Sequence, residues 1–301
     1  MQEPTSPIEL HGVISAMVTP CTAAGEPDLP ALLAILDRTI DEGAHGVVVG
    51  ASTGEFAAFS ADQRRHVAER VIAHADGRVP VIVQTGAMTT DDAVSLSRHA
   101  ESAGAAAVMP VLPYYEPISL EEAFDYYAAI DAAIDLPIVA YNIPGATGLL
   151  LAADFLARLG RELEHVRYVK DSTGDFDHLA RLLIKYPDDI KVLCGIDLLV
   201  LPALQLGAAG CIVGAVNFAA RPLARIYEAH RVGDHKVAFE LWRRVSPALL
   251  ALLDGGSYPA TVKAACEIVG LTAGDPCLPA RPLSATDRER LAGIVSRALG
   301  E

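Results

Sequence analysis

The sequence lacks a basic excess and a long apolar run. Its formal net charge is −14 at neutral pH. Nucleic-acid binding requires a basic face, so this acidic balance argues against it. Each apolar stretch is broken by glycine, proline or a charge before about 18 residues, the length that would suggest a membrane span. The sequence therefore predicts neither nucleic acid nor a membrane as a partner.

Cysteine motifs and a targeting segment are also absent. The five cysteines form no CxxC pair and no metal-ligand spacing. An odd number without a secretory signal suggests reduced thiols in a reducing compartment. The first twelve residues, MQEPTSPIELHG, lack a basic segment followed by an apolar one, so no signal peptide is expected. We therefore expect a cytoplasmic protein that binds no metal.

Eight short apolar runs recur along the chain, and a longer helical pattern follows each one. Continuously apolar runs are typical of strands that are buried on both faces of a parallel sheet. Eight strand–helix units over roughly 230 residues fit the (β/α)8 TIM barrel. A doubly wound open sheet is the alternative, weakened because no GxGxxG turn follows any run. The runs lie at 12–20, 46–50, 79–86, 105–110, 136–142, 166–170, 190–195 and 210–215.

The repeating strand–helix pattern ends before the C-terminus and suggests a division of the chain. Within the repeating part, Ser60 followed by Gln63 predicts a capping box at the start of the second helix. After about residue 232, three helical segments follow without intervening strands. We predict an α/β fold with an N-terminal tail over 1–7, a (β/α)8 catalytic barrel over 8–231, and a C-terminal helical extension over 232–301 that packs on the barrel.

The βα loops of such a barrel carry its reactive groups, and here they contain a single lysine. Lys170 ends the sixth apolar run, in VRYVKDSTGD (166–175). The ordinary interpretation is that Lys170 reaches the surface. Burial in an apolar pocket would instead favour the free amine, which attacks a ketone to form an imine. Tyr141, Tyr114 and Tyr115 offer hydroxyl groups for proton transfer, although the last two also fit a packing pair.

Two glycine-rich segments could bind an anion. GASTGE (50–55) places Ser52 and Thr53 in a glycine-flanked turn whose backbone N–H groups suit a carboxylate, although a plain strand-to-helix turn is equally compatible. GAAGCIVGA (207–215) is an alternative phosphate loop of the kind found in barrels. With Lys170 for the carbonyl group and GASTGE for the carboxylate, the residues suit a 2-oxo acid.

Five motifs, in this order and spacing, resemble the dihydrodipicolinate synthase / N-acetylneuraminate lyase family: GASTGE, YYEP, YNIPGATG, YVKDSTGD and GAAGCIVGAVN. The resemblance runs from about residue 12 to 223 and continues more loosely to the end. It implies a class I lyase or aldolase that forms a Schiff base with pyruvate or a longer 2-oxo acid. It also implies a homotetramer built as a dimer of dimers, and no cofactor other than the covalent imine.

The resemblance implies roles for the catalytic residues. Lys170 corresponds to the Schiff-base lysine, and Tyr141 to the tyrosine that shuttles protons. Thr53 and Tyr115 match the relay that connects Tyr141 to solvent. In this family the tyrosine at the Tyr115 position typically reaches into the site of a neighbouring subunit.

Further residues are expected to bind substrate. By resemblance, Ser52 and Thr53 form the carboxylate-binding turn, and Ile212 places its backbone carbonyl towards the lysine. Ser172 and Asp197 follow the sixth and seventh apolar runs, and Gly195 ends the seventh run, so we expect all three to line the same site.

Two departures from the family pattern concern the substrate. Ala146 stands where the synthases usually carry an arginine, so a bidentate partner for a second carboxylate is missing. Leu198 stands where neuraminate lyases favour an acid beside Asp197. Ser172, Asp197 and Asn217 are the remaining hydroxyl partners, which favours a 2-oxo-3-deoxy sugar acid or a 4-hydroxy-2-oxo acid. The alternatives are a 4-hydroxy-tetrahydrodipicolinate synthase, acting on pyruvate and aspartate semialdehyde, and a non-catalytic relative that binds a 2-oxo acid.

Overall fold

A closed barrel of eight parallel strands forms the centre of the protein. The computed structural model describes residues 9–22 and 24–300, so the predicted tail over 1–7 lies outside the described residues. Each strand pairs with the next one along the chain, and the last pairs with the first. The predicted TIM barrel is therefore confirmed and the open sheet is excluded. The strands are β1 (Gly12–Ala16), β2 (Gly46–Val49), β3 (Val81–Val83), β4 (Ala107–Val108), β5 (Ile138–Asn142), β6 (Val166–Asp171), β7 (Lys191–Cys194) and β8 (Gly210–Val213).

Helices follow the strands and form the outer layer. The predicted capping box is present, because Ser60 Oγ accepts the N–H of Gln63 while Gln63 Oε1 accepts the N–H of Ser60. The short helix α5 lies within the YNIPGATG loop, where the apolar pattern predicts none. The helices of the barrel are α1 (Leu29–Asp41), α2 (Ala61–Ala75), α3 (Thr90–Ser102), α4 (Leu120–Asp131), α5 (Pro144–Thr147), α6 (Ala153–Glu162), α7 (Phe176–Lys185), α8 (Val200–Gln205) and α9 (Val216–Arg231).

Three more helices form the predicted C-terminal helical extension: α10 (His235–Ala251), α11 (Tyr258–Ile268) and α12 (Ala285–Leu299). α10 packs against α9 and α12, and α11 packs against α9 and α12. Val245, Leu249 and Ala265 are buried in the same apolar core as the helices of the barrel. The extension is thus continuous with the barrel, whereas the division at residue 232 stays a prediction. No helix in the described part of the chain has the length and apolar character needed to cross a membrane.

The interior of the barrel is filled with side chains. Ile14, Ile82 and Leu193 are among the residues that pack there, and each is fully buried. The backbone N–H of Leu10 donates to the hydroxyl of Tyr168 at 3.0 Å, which closes the interior at the amino ends of the strands. In barrels of this kind the chemistry takes place at the opposite end, where the βα loops begin.

Candidate active site

Lys170 and Tyr141 meet inside the barrel because their strands are neighbours. They are directly paired in the register of β5 and β6, so both side chains leave the sheet on the same side. Lys170 is 4% exposed and Tyr141 is 3% exposed. Lys170 Nζ donates to Tyr141 Oη at 3.2 Å and lies 4.3 Å from the centre of the Tyr141 ring. Lys170 therefore does not extend to the surface.

The hydroxyl of Tyr141 lies among polar groups that change its acidity. Burial acts to raise the pKa of Tyr141, but the charge of Lys170 and hydrogen bonds from Ser52, Lys170 and Ser172 outweigh burial and hold this pKa below its ordinary value. Ser52 Oγ lies 3.5 Å from Tyr141 Oη. A hydroxyl that ionises more readily suits proton transfer near neutral pH.

A cavity of about 320 Å³ opens above this pair. It brings together the predicted site residues apart from Tyr115 and Asn217, and Leu198 lines it as well. The predicted residues on the cavity are Ser52, Thr53, Tyr141, Lys170, Ser172, Gly195, Asp197 and Ile212. The expected constellation is thus present in space, while the roles of its members stay predictions.

The GASTGE turn presents free backbone donors to this cavity. Gly50 has a φ of 69°, a left-handed conformation that glycine adopts without strain. The N–H groups of Ser52 and Thr53 donate to no acceptor among the described residues. Two such donors suit a substrate carboxylate. Within the chain, Tyr141 Oη contacts the hydroxyl of Ser52, and no hydrogen bond joins it to Thr53 among the described residues.

Tyr115 is one of the two predicted site residues, with Asn217, that do not line this cavity. It follows β4 and is 83% exposed, so it forms no buried packing pair with Tyr114. Tyr114 instead meets Phe56 edge to face, with ring centres 6.0 Å apart. An exposed tyrosine next to the site is compatible with the predicted reach into another subunit.

Asp197 is held by a residue that no sequence pattern singled out. Tyr258, at the start of α11, donates its hydroxyl to Asp197 Oδ2 at 2.6 Å, and Asp197 Oδ1 accepts the N–H of Ala215 at 3.1 Å. The hydroxyl of Tyr258 also accepts the N–H of Gly214 at 3.1 Å. Burial raises the pKa of Asp197, and burial next to this carboxylate holds the pKa of Tyr258 well above its usual range. Both carboxylate oxygens of Asp197 therefore have protein partners before any substrate binds.

The prediction that Asn217 binds a substrate hydroxyl is wrong. Asn217 Nδ2 donates to the carbonyl groups of Ala16 and Gly214, each at 2.8 Å, and its Oδ1 accepts the N–H of Val18 at 3.0 Å. The amide thus ties the end of β1 to the end of β8 and is fully used. The phosphate-loop alternative also fails, because the N–H groups of Gly214 and Ala215 donate to Tyr258 and Asp197.

Gly195 allows two strand ends to approach each other closely. Its N–H donates to the carbonyl of Asp171 at 2.7 Å, and Ser172 Oγ donates to the carbonyl of Gly195 at 3.3 Å. A Cβ atom on Gly195 would lie 2.1 Å from Ser172 Oγ and 2.8 Å from the backbone oxygen of Asp171. Glycine at this position therefore sets the placement of Ser172 on the cavity wall.

A buried polar cluster supports the two strands that carry Lys170 and Tyr141. Asn142 Nδ2 donates to Asp171 Oδ2 at 3.1 Å, and His178 Nε2 lies 3.1 Å from the same oxygen. The Asp171 carboxylate raises the pKa of His178. Asn142 and Asp171 directly follow Tyr141 and Lys170 in sequence, so this cluster fixes the ends of β5 and β6 next to the cavity.

A second, more open cavity of about 620 Å³ adjoins the first one and shares Ser52 with it. Phe56, Tyr114, Ala146 and Leu278 are among its apolar lining residues. Across the described residues that line these two cavities, Lys170 is the sole lysine or arginine. No second described lysine or arginine therefore lines either cavity in place of the arginine missing at Ala146.

Another cavity, of about 670 Å³ and thus larger than either of these two, lies at the other end of the barrel. It is lined by residues at the amino ends of β5 to β7, including Asp135, Arg167 and Lys191. None of the predicted site residues contributes to it. Size alone does not identify the site, because Lys170 and Tyr141 lie at the carboxyl ends of the strands.

Comparison with known proteins places this arrangement in a family. The sequence model of the dihydrodipicolinate synthetase family matches residues 9–298. The 4-hydroxy-tetrahydrodipicolinate synthase of Methanopyrus kandleri is 36% identical over 94% of this chain and 94% of its own. The protein of the same name from Bacillus subtilis is 32% identical over 94% of this chain and 98% of its own. The chloride-inhibited dihydrodipicolinate synthase of Acinetobacter baumannii, solved with pyruvate, has 31% identity and a TM-score of 0.92, covering 96% of this chain and 99% of that one.

These matches extend over nearly the whole chain, including the C-terminal helices. The five motifs that resemble the family are therefore parts of one continuous match rather than isolated coincidences. The barrel and the helical extension agree with it. The chain belongs to the dihydrodipicolinate synthetase family, and the protein is an enzyme of the lyase class.

Proposed function

We propose that the protein is a class I lyase in which Lys170 forms an imine with the keto group of pyruvate or of a longer 2-oxo acid. The observation that carries this proposal is the buried contact of Lys170 Nζ with Tyr141 Oη at 3.2 Å. A lysine amine is a nucleophile towards carbonyl groups when it is not protonated. Its neighbour is a tyrosine whose pKa is lowered, mainly by the charge of Lys170 against the opposing effect of burial.

Each group around the amine has a defined part in this chemistry. The amine attacks the keto carbon, and Tyr141 supplies and removes the protons that allow water to leave as the imine forms. The free N–H groups of Ser52 and Thr53 bind the carboxylate next to that carbon. The imine then withdraws electrons from the neighbouring carbon, so that a carbon–carbon bond can form or break. No metal or organic cofactor takes part in this scheme.

Aspartate semialdehyde is the second substrate with the most support. Relatives at 36% and 32% identity are named 4-hydroxy-tetrahydrodipicolinate synthases, the activity that the sequence indicates as an alternative to sugar-acid cleavage. The preferred sugar-acid substrate loses support, since Asn217 binds backbone groups and both oxygens of Asp197 are occupied. Ala146 still favours the second candidate, which is cleavage of a 2-oxo-3-deoxy sugar acid or a 4-hydroxy-2-oxo acid. The reason is that no described lysine or arginine lines the second, more open cavity to bind a second carboxylate.

We expect the enzyme to act as a homotetramer in which Tyr115 completes the relay of a neighbouring site. Its exposure of 83% is the feature that supports this arrangement. Mixing Tyr115→Phe with Lys170→Ala subunits should restore part of the activity, because each hybrid dimer contains one site with both residues intact. Confirmed subunit exchange without restored activity would contradict the shared site. Cytoplasmic location stays a prediction.

The imine can be trapped directly. Incubation with pyruvate and borohydride should reduce it to a stable adduct, which peptide mass spectrometry should locate on Lys170. Lys263 is a matched control within the same chain, since it is 1% exposed but ion-paired with Glu55. An adduct elsewhere, or none, would refute the proposal. Turnover of pyruvate with aspartate semialdehyde, compared with a panel of sugar acids, then separates the two candidate reactions and distinguishes an enzyme from a non-catalytic binder.

A further inference from the structure

Two cysteines far apart in sequence lie side by side next to the active site. Cys21 follows β1, and Cys277 lies between α11 and α12, yet their Sγ atoms are 3.1 Å apart. Both are partly exposed, whereas the other three cysteines are buried. The sequence predicts five unconnected thiols, and nothing in their spacing indicates this pairing.

Hydrogen bonds fix the backbone around both cysteines, so the contact joins two well-anchored segments. The N–H of Cys277 donates to Glu55 Oε1 at 2.7 Å. Glu55 forms an ion pair with Lys263, whose Nζ donates to the carbonyl of Asp275 at 3.0 Å. On the other side, Cys21 forms an antiparallel bridge with Pro27.

The segment before Cys277 also runs along the backbone of Cys21. A Cβ atom on Gly274 would lie 3.3 Å from the carbonyl oxygen of Cys21. The two chain segments are therefore in contact over more than the sulfur atoms. A bond between the sulfurs needs a small local movement rather than a rearrangement of either segment.

We propose that Cys21 and Cys277 are a site of reversible disulfide formation that joins the barrel covalently to its C-terminal extension. The oxidant is a small-molecule disulfide. The thiolate of Cys277 attacks one sulfur of this disulfide and releases the first small thiol. The thiolate of Cys21 then attacks the sulfur of Cys277 and releases the second one. Two protein thiols and one small disulfide thus give one protein disulfide and two small thiols.

The order of these steps follows from the surroundings of Cys21. Burial and the hydrogen bond with Cys277 raise the pKa of Cys21 to about 12. Cys21 therefore remains protonated near neutral pH and attacks slowly, which makes it the second reactant. The rate of closure should rise as the pH is raised, because the thiolate fraction of Cys21 grows.

Cys194 and Cys211 provide an internal control. They are paired across β7 and β8 in the strand register, as near neighbours in the fold, but both are buried in the core. Burial raises the pKa of Cys194 to about 12. An oxidant in solution has no access to this pair, so nearness alone should not lead to its oxidation.

The test uses the full-length protein in its native state. It is reduced, freed of reductant, and incubated with excess oxidised glutathione at pH 8, and its free thiols are then alkylated under denaturing conditions. Peptide mapping should show a Cys21–Cys277 link and three alkylated cysteines. Cys21→Ser should leave a glutathione adduct on Cys277 and no link, whereas the double variant Cys194→Ser/Cys211→Ser should form the link as the unmodified protein does.

A second readout does not depend on the variants. The oxidised protein should melt at least about 5 °C higher than the reduced one, since a crosslink over so long a loop restricts the unfolded chain. Dithiothreitol should reverse this shift. Five alkylated thiols after oxidation, or links that join other cysteines or different chains, would overturn the proposal. This outcome is independent of the imine chemistry, because borohydride trapping on Lys170 requires neither cysteine.

Discussion

Substituting Lys263 by methionine should destabilise the protein strongly, because it would leave a buried carboxylate without its cation. Lys263 is 1% exposed, lies in α11 and forms an ion pair with Glu55 in the GASTGE turn. Glu55 Oε1 accepts the N–H of Cys277, a neutral donor that cannot balance the charge. Removing one partner of a buried ion pair typically costs about 3–5 kcal/mol. This is a large share of the roughly 5–15 kcal/mol by which a protein domain is stable.

The double variant Glu55→Gln/Lys263→Met separates the charge from the packing. It removes both charges, while the glutamine oxygen can still accept the N–H of Cys277. The remaining loss is the hydrogen bond from Lys263 to the carbonyl of Asp275, about 1–2 kcal/mol. The double variant should therefore be more stable than Lys263→Met alone, although it contains one more substitution.

Urea unfolding followed by circular dichroism and by fluorescence of the single tryptophan, Trp242, measures both values. All variants must be compared with reductant present and at one protein concentration, since oxidation and subunit association both alter apparent stability. A loss below about 1 kcal/mol for Lys263→Met would be typical of an exposed pair and would refute the reasoning. A double variant no more stable than the single one would refute it as well.

Three further predictions concern the site. Tyr141→Phe should lower kcat by about 10²–10⁴-fold in steady-state assays while slow trapping of pyruvate on Lys170 persists; an unchanged kcat would exclude proton transfer by Tyr141. Because Asp171 raises the pKa of His178, the stability from this pair should be complete below about pH 6.5 and fall as pH rises through the raised pKa. His178→Gln should remove this slope from urea unfolding between pH 6 and 9, and an identical slope would show that another group causes it. Ala146→Arg should raise kcat/KM for aspartate semialdehyde by about tenfold or more, with Ala146→Lys gaining less; equal values for all three proteins would mean that the second carboxylate binds elsewhere.

The position of the reactive pair was predictable because it depends on strand ends. Lys170 and Tyr141 each lie at the end of an apolar run, and the ends of neighbouring parallel strands meet at one edge. The same rule places Ser52, Gly195 and Asp197 on the cavity. A periodic pattern of buried strands is therefore sufficient to predict the position of the site residues that lie at strand ends.

The residues that support the site could not be predicted in this way. Tyr258 is 61 positions from Asp197 and lies on α11. The apolar pattern of this helix predicts which face is buried, but it does not predict which polar side chain contacts the barrel. Asn217 follows β8 closely in sequence, but it lies in the first turn of α9 and its amide binds the backbone of β1. Side-chain direction after a strand depends on the local path of the chain, which no periodicity describes.

The position of Tyr258 has a consequence for how the enzyme is made. All eight strands of the barrel precede α11 in the chain, so the ribosome adds Tyr258 only after every strand has been made. While the ribosome is still adding α11, the loops after β7 and β8 lack the phenol that binds Asp197 and Gly214. The pocket is therefore completed only after all the strands have been made, and a messenger that ends before the codon for Tyr258 would encode all the strands without a finished site.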